Sequence, residues 1–315
     1  MLVPITLIVG PRTNAQLARH CATPTTALIA SRDLASATGT LGLAVETRLV
    51  LSEPDIYYRS PGCDCCAYRE DLVDAIVRAT RRATPPEHIV IAVDPHADDV
   101  PTAIATLLSS VDITRRGAFD AVIVHVDGVE AATRLATGGG AVDPSLAPAI
   151  AVADRVVIDQ CDQLTSTALD ELRTALHLAA GFATVTRAED AAGTASGDLE
   201  AWHGAPAATT IVPGGPEQPE TLVLDVDRPL DAEAIDEWLN MLIAQYASRL
   251  LRVQGALSVR GNDERTCIYG VRSFATSHSE NDHRSRRSDH SIIAICGWGL
   301  DREELSRSFL ATVAS

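Results

Sequence analysis

The chain contains no lysine among its 315 residues. That absence removes any chemistry that depends on a lysine ammonium, above all the phosphate-gripping lysine of a P-loop. Long apolar runs are missing as well. The N-terminal MLVPITLIVG is short, has no basic n-region and no small-residue cleavage site, and turns polar at once. No segment approaches the roughly 20 apolar residues of a membrane span. A disulfide framework is not indicated either, because the seven cysteines are odd in number and three of them are crowded together, a usage that fits a reducing cytoplasm. Positive charge is scarce: 26 arginines against 42 acidic residues give a formal net charge of −16. Such a surface repels phosphate backbones and argues against direct, extensive nucleic-acid binding. The one basic exception, Arg284, Arg286 and Arg287, lies beside Glu280, Asp282 and Asp289, and the segment Ser277 to His290 reads as a solvated loop.

What is present is material for a large packed core, since 46% of the residues are hydrophobic. Short, almost wholly apolar runs recur at Ile5 to Val9, Thr26 to Ala30, His88 to Val93, Phe119 to Val126 and Arg155 to Ile158. Runs of this kind read as strands buried on both faces, as in a parallel sheet covered by helices. Helical patterns lie between them. Residues 70 to 82 put Leu72, Val73, Ile76 and Val77 on one stripe, with acids first, arginines last and Pro85-Pro86 as the stop. Residues 165 to 180 form a second helix, capped by Thr165 and stopped by Gly181. Alternation of this type predicts an α/β domain over residues 1 to 190. The stretch from Ala191 to Glu220, rich in Gly, Ala, Pro and Thr without a period, reads as a linker. Residues 221 to 315 then read as a small α+β domain: a strand, a helix from Asp231 to Tyr246, three further strands, and a last helix from Asp301 to Val313.

The densest chemistry sits in GCDCCAYREDLVDAI, Gly62 to Ile76, where Cys63, Cys65 and Cys66 crowd three thiols into four positions. Zinc takes thiolates in a tetrahedral shell, and three thiolates exceed what a redox pair needs. Adjacent Cys65 and Cys66 point apart in an extended strand and converge only where the backbone turns, as at a helix start. There the helix N–H groups also favour a thiolate. Asp64, Glu46, Glu53 or a water would complete the shell, and the sequence does not rank them. Two other readings compete: ordinary small core residues, and a thiol–disulfide element. Among the histidines, His278, His283 and His290 lie loosely spaced in the polar loop. His125 ends an apolar strand and reads as hydrogen-bonded and partly buried. His96, with Asp98 and Asp99, falls near the switch point of the sheet, where ligands collect in open α/β folds.

GCDCCAYREDL, IAVADRVVIDQCDQL (Ile150 to Leu164), LLRVQGALSV (Leu250 to Val259), YGVRSF (Tyr269 to Phe274) and GLDREEL (Gly299 to Leu305) occur in an order and spacing that resembles the CobW family of metal-binding GTPases. The resemblance covers nearly the whole chain. It implies a P-loop-GTPase-like, mostly parallel sheet with helices on both faces, followed by a small C-terminal domain. It also implies a C-x-C-C metal element at Cys63, Cys65 and Cys66, and a nucleotide site whose remnants are Gly10 and Asp162. The nucleotide elements depart from the family pattern. Gly10-Pro11-Arg12-Thr13-Asn14-Ala15-Gln16 replaces the glycine-rich loop and its lysine, and Thr13 with Gln16 has the spacing of a helix capping box. At the acidic strand end stands Asp94-Pro95, whose proline has no N–H for a γ-phosphate. The guanine-reading motif has become Asp159-Gln160-Cys161-Asp162, with Gln160 where the stacking lysine belongs.

An intact cysteine element beside three broken nucleotide elements leads to the expectation of a cytoplasmic zinc-binding protein of metal homeostasis. It would hold, sense or hand over metal to a protein client, and GTP is not expected to bind. An active divergent GTPase that couples hydrolysis to metal insertion, with Arg12 in place of the lysine, is the alternative, and a zinc-responsive interaction adaptor is a third reading.

Overall fold

A computed structural model describes residues 2–10, 26–31, 47–51, 64–93, 100–180, 183–190, 219–246, 248–262, 264–271, 274–279 and 289–314. The chain divides into two compact units, Met1–His203 and Gly204–Ser315.

In the first unit the apolar runs become a seven-stranded sheet of order β3-β2-β4-β1-β5-β6-β7. Its strands are β1 (Val3–Val9), β2 (Thr26–Ser31), β3 (Thr47–Leu51), β4 (His88–Val93), β5 (Gly117–Asp127), β6 (Arg155–Asp159) and β7 (Thr184–Arg187). Every pairing between them is parallel. Parallel neighbours need crossovers, and these supply α1 (Asp64–Thr80), α2 (Val100–Ser109), α3 (Val111–Thr114), α4 (Gly128–Ala136), α5 (Ala147–Ala151) and α6 (Ser166–Ala180). Central β1 and β4 are buried on both faces: Ile5, Leu7, Ile8, Val9, Ile89, Val90 and Val93 have no exposed surface. Each such side chain contributes about 1.5–3 kcal/mol of burial, which is why these runs lack the polar alternation of a half-exposed strand.

Three expectations need correction here. Helix α1 begins at Asp64, not at residue 70, so the cysteine pair belongs to its first turn; it ends at Thr80, whose hydroxyl donates to the carbonyls of Ile76 and Val77. Strands β3 and β7 were not marked by continuous apolar sequence. Ser277–Ser279, read as loop, belong to a strand of the second unit that pairs with its neighbour from Thr266↔Ser279 to Val271↔Phe274. Thr165 caps α6 as expected, accepting from the N–H of Ala168 at 3.3 Å.

The second unit is a five-stranded antiparallel sheet of order β11-β10-β9-β12-β8, made of β8 (Glu220–Val226), β9 (Leu250–Leu257), β10 (Thr266–Val271), β11 (Phe274–Ser279) and β12 (Ser291–Gly297). Because β12 runs antiparallel to both β8 and β9, those two are parallel to each other and need a crossover, which α7 (Ala232–Tyr246) provides. Ile235, Trp238, Leu242 and Tyr246 form the buried stripe of α7. Trp238 packs against Phe309 of α8 (Arg302–Leu310) at 5.2 Å between ring centroids and donates its indole N–H to Ser308 Oγ at 2.9 Å. Asp231 and Asp301 cap the two helices by accepting from backbone N–H groups. No helix among the described residues is long and apolar enough to cross a membrane.

Candidate functional site

In an all-parallel sheet each helix runs back against its strands, so helix starts and strand ends share one edge, the edge where ligands bind. Gly10, at the end of β1, lies on it with φ +72°, a conformation other residues rarely adopt. A Cβ there would meet the carbonyl oxygen of His125 at 3.1 Å, and the Gly10 N–H donates to Val93 at 3.2 Å. Gly10 is therefore a packing requirement of β1, β4 and β5 apart from any phosphate. Residues 11–25 lie outside the described residues, and with them Arg12 and the Thr13/Gln16 pair; so do Asp94-Pro95, His96, Asp98 and Asp99.

Two strands beyond, β5 and β6 end side by side, with Asp127 opposite Asp159. His125, 2% exposed, donates from Nδ1 to Asp159 Oδ2 at 2.8 Å, since a carboxylate can only accept. Asp159 is 6% exposed, so its carboxylate is engaged inside the edge. Gln160 follows with φ 56° and ψ 34°, the one non-glycine described residue in the left-handed region, at an intrinsic cost of roughly 1–2 kcal/mol. Its Nε2 donates to Asp127 Oδ2 at 2.7 Å, and its Oε1 accepts from Gln163 at 3.2 Å. Asp127 also caps α4, its Oδ1 accepting from the N–H of Glu130 at 3.0 Å. Gly128 lets the chain pass: a Cβ would stand 2.6 Å from the carbonyl oxygen of Asp159. The next residues, Cys161–Gln163, make a single 3-10 turn in which Cys161 is buried and Asp162 exposed. Burial, with Glu189 nearby, pushes the Cys161 thiol up.

Of the residues singled out from sequence, the edge thus gathers Gly10 and Asp162, and it adds His125, Asp127, Asp159 and Gln160 as a connected set. His125 is hydrogen-bonded as expected, but it is fully rather than partly buried. Asp127 was not anticipated, although Asp127-Gly128-Val129-Glu130 has the acid-to-glutamate spacing of a helix cap at a strand end.

The cysteines stand elsewhere on the same edge. Cys63 lies outside the described residues, and the backbone places Cys65 and Cys66 in the first turn of α1. That helix packs on β2 and β3. From β2 to β6 is four strand steps, roughly 19 Å at about 4.8 Å each, so the start of α1 and the Asp159–Asp162 loop are separate stations. In the second unit, His290 Nε2 lies 3.8 Å from Asp225 and 3.9 Å from Asp227. Among the described residues no three His, Cys, Asp or Glu side chains stand close enough to share a metal ion.

A seven-stranded parallel sheet with a left-handed glycine closing β1 and a single 3-10 turn following β6 defines the class: a P-loop-GTPase-like α/β domain, followed by a split β-α-β domain. Sequence models agree. The one described as "CobW/HypB/UreG, nucleotide-binding domain" matches residues 30–186, and "Cobalamin synthesis protein cobW C-terminal domain" matches residues 220–313. The chain belongs to the CobW family. Among solved structures it is similar to Zn(II)-bound YjiA GTPase from E. coli, with 20% identity and a TM-score of 0.65 over 100% of both chains. It is also similar to a Zn(II)-bound triple mutant of YjiA GTPase in which one glutamate and two cysteines are alanine, with 19% identity and a TM-score of 0.67 over 100% of both chains. At these identities the likeness is one of fold. No curated protein matches the chain.

Proposed function

We propose that the chain is a zinc-binding CobW-family protein of metal homeostasis, holding, sensing or handing over metal to a protein client, whose nucleotide site has lost catalysis. The observation that carries the second half is the use made of the guanine-reading segment. Gln160, at the position of the stacking lysine, spends its amide on Asp127 and Gln163, and Asp159 is turned inward to His125. With no lysine anywhere in the chain, the outer phosphates have lost their ammonium partner. Charge-assisted contacts are worth about 1.5–3 kcal/mol each. Losing two of them weakens triphosphate binding by about a hundredfold or more.

Support for the metal half comes from the start of α1. First-turn N–H groups have no intrahelical acceptors, and the positive end of the helix favours thiolates. Cys65 and Cys66 lie in that turn, and Cys63 directly precedes it. The donor set suits a soft divalent ion, and the Zn(II)-bound state of YjiA is in keeping with zinc. Metal occupancy itself would then be the switch in a chain without a nucleotide cycle, since thiolate ligation responds to free zinc and pH. The buried thiols Cys161, Cys267 and Cys296 form no disulfide, in keeping with a reducing cytoplasm.

The test is a zinc titration of reduced protein with Cys63, Cys65 and Cys66 changed singly to Ser, alongside calorimetry with GTP and Mg²⁺ on the zinc-loaded chain. Zinc affinity is expected to fall in each variant, and GTP to give no heat. Zinc affinity that survives all three changes would refute the metal site. Micromolar GTP binding abolished by Asp162→Ala would restore the competing reading, a divergent GTPase coupled to metal insertion.

A further inference from the structure

The two bridges between β5 and β6 do more than occupy a vacated motif. His125–Asp159 runs inside the edge and Gln160–Asp127 outside it, so the two strand ends, where Asp127 stands opposite Asp159, are tied twice across the β5–β6 seam. Beyond them, Gln163 donates to Gln160, the Cys161 thiol donates to the carbonyl of Ile158 at 3.2 Å, and Leu164 donates its N–H to Cys161. Both ends of the Gln160 amide are used, and they hold that residue in its left-handed conformation. A glutamine has no intrinsic preference for such a backbone, so the surrounding contacts must over-determine it.

We propose that these bridges do the work a bound nucleotide would otherwise do: they lock the Asp159–Leu164 segment in one shape, independent of ligand. This rests on the reading of the nucleotide site given above, and it adds a mechanism. A loop that reads a base gains order from the base. Here Asp127, His125 and Gln163 supply the order from within the chain, and the edge of the sheet stays in a single state through changes in GTP concentration.

Amide hydrogen exchange across residues 157–164 in the full chain, with and without 1 mM GTP and Mg²⁺, tests the lock. Wild-type exchange is expected to be slow and indifferent to GTP. Gln160→Ala removes the outer bridge and the Gln163 contact at an exposed position and is expected to speed exchange at 160–164 by about tenfold or more, the loss of the hydrogen bond to the charged Asp127 together with the one from Gln163. A melting temperature close to wild type would establish that Gln160→Ala folds. Asp159→Asn, which retains an acceptor for His125, should change exchange less than Asp159→Ala. Wild-type exchange that is fast and slows on adding GTP overturns the proposal, and so does unchanged exchange in Gln160→Ala. The two readings fail separately. GTP binding to an already protected loop would sink the loss of nucleotide while sparing the lock; absence of GTP binding with an unaffected Gln160→Ala would do the reverse.

Discussion

Thr6→Val is expected to destabilise the first unit through a polar group at the centre of its sheet. Thr6 lies on β1 with no exposed surface, and its Oγ1 stands 2.9 Å from His88 Nε2 and 3.0 Å from Asp120 Oδ2. The hydroxyl donates to the carboxylate and so accepts from the His88 Nε2–H, linking β4, β1 and β5. Valine keeps the shape and removes both contacts. The His88 N–H, in a residue 9% exposed, is then left without its acceptor at a cost of about 1–3 kcal/mol. Asp120 is only half-buried and can turn to water. At about 2–4 °C per kcal/mol for a unit of this size, the melting temperature should fall by about 2–12 °C. Thr6→Ser, which retains the hydroxyl, should recover most of the loss. The deficit should also depend on pH. Burial holds the Asp120 carboxyl above its ordinary value of 3.8, while the Thr6 bond pulls it down. Removing that bond raises Asp120 further, and a raised carboxyl loses stability as pH rises through its folded value, so the deficit is larger at pH 7 than at pH 4. His88 acts in the opposite sense: burial holds it below 6.5, so its share is full at neutral pH and is lost as pH falls through 6.5. Scanning calorimetry of wild type, Thr6→Val and Thr6→Ser at pH 7 and pH 4 decides the matter. A valine variant within 1 °C of wild type, or a serine variant as unstable as valine, refutes the reasoning.

Gly10→Ala should lower stability by about 1–2 kcal/mol in urea unfolding, because alanine at φ +72° is strained and its Cβ approaches the His125 carbonyl. Thiol alkylation of native protein at pH 8, read by mass spectrometry, should label Cys63, Cys65 and Cys66 well before Cys161, Cys267 and Cys296, which are 8%, 4% and 5% exposed. Cys296, its thiol pushed up to about 11 by burial, should be the slowest, and zinc should protect only the first group.

How far the sequence carried depended on where each element sits in its sheet. Central strands β1, β4, β5 and β6 were legible because both faces are buried and the run has to be apolar throughout. The strands that escaped notice, β3, β7 and β11, are all edge strands. An edge strand has one neighbour, so TRLVL and TVTR are more polar than the nearly continuous apolar runs ITLIV and HIVIAV. The start of α1 was misplaced for a different reason: Asp64-Cys65-Cys66 is poor in strong helix formers, and a pattern search begins where Leu72 and Ile76 set the period. At the site, Cys63, Cys65 and Cys66 could be read because they are contiguous. His125 and Asp159 could not be paired in advance, since they are 34 residues apart and meet only through the β5–β6 register. Nor does glutamine announce a left-handed conformation; it is fixed at Gln160 by Asp127, a residue 33 positions earlier.

The topology also bears on how the proposed metal element and the proposed loss of the nucleotide site can coexist in one fold. Helix α1 carries its cysteines to the edge where β1, β5 and β6 end, but over β2 and β3, several strands from Asp159–Asp162. A change at one station reaches the other only through strands that would have to shift together, and the cores of β4 and β1 between them are buried on both faces. Close-packed cores respond in discrete steps, so coupling between the stations requires a loop that takes two shapes. At the far station that loop is bridged to Asp127 and His125 and is held in one. On the proposed reading, evolution could let the phosphate-binding residues go without disturbing the start of α1. On that same reading, what is left to vary at the edge is whether the thiolates of Cys63, Cys65 and Cys66 hold an ion, and free zinc, not GTP, would set the state that a partner senses.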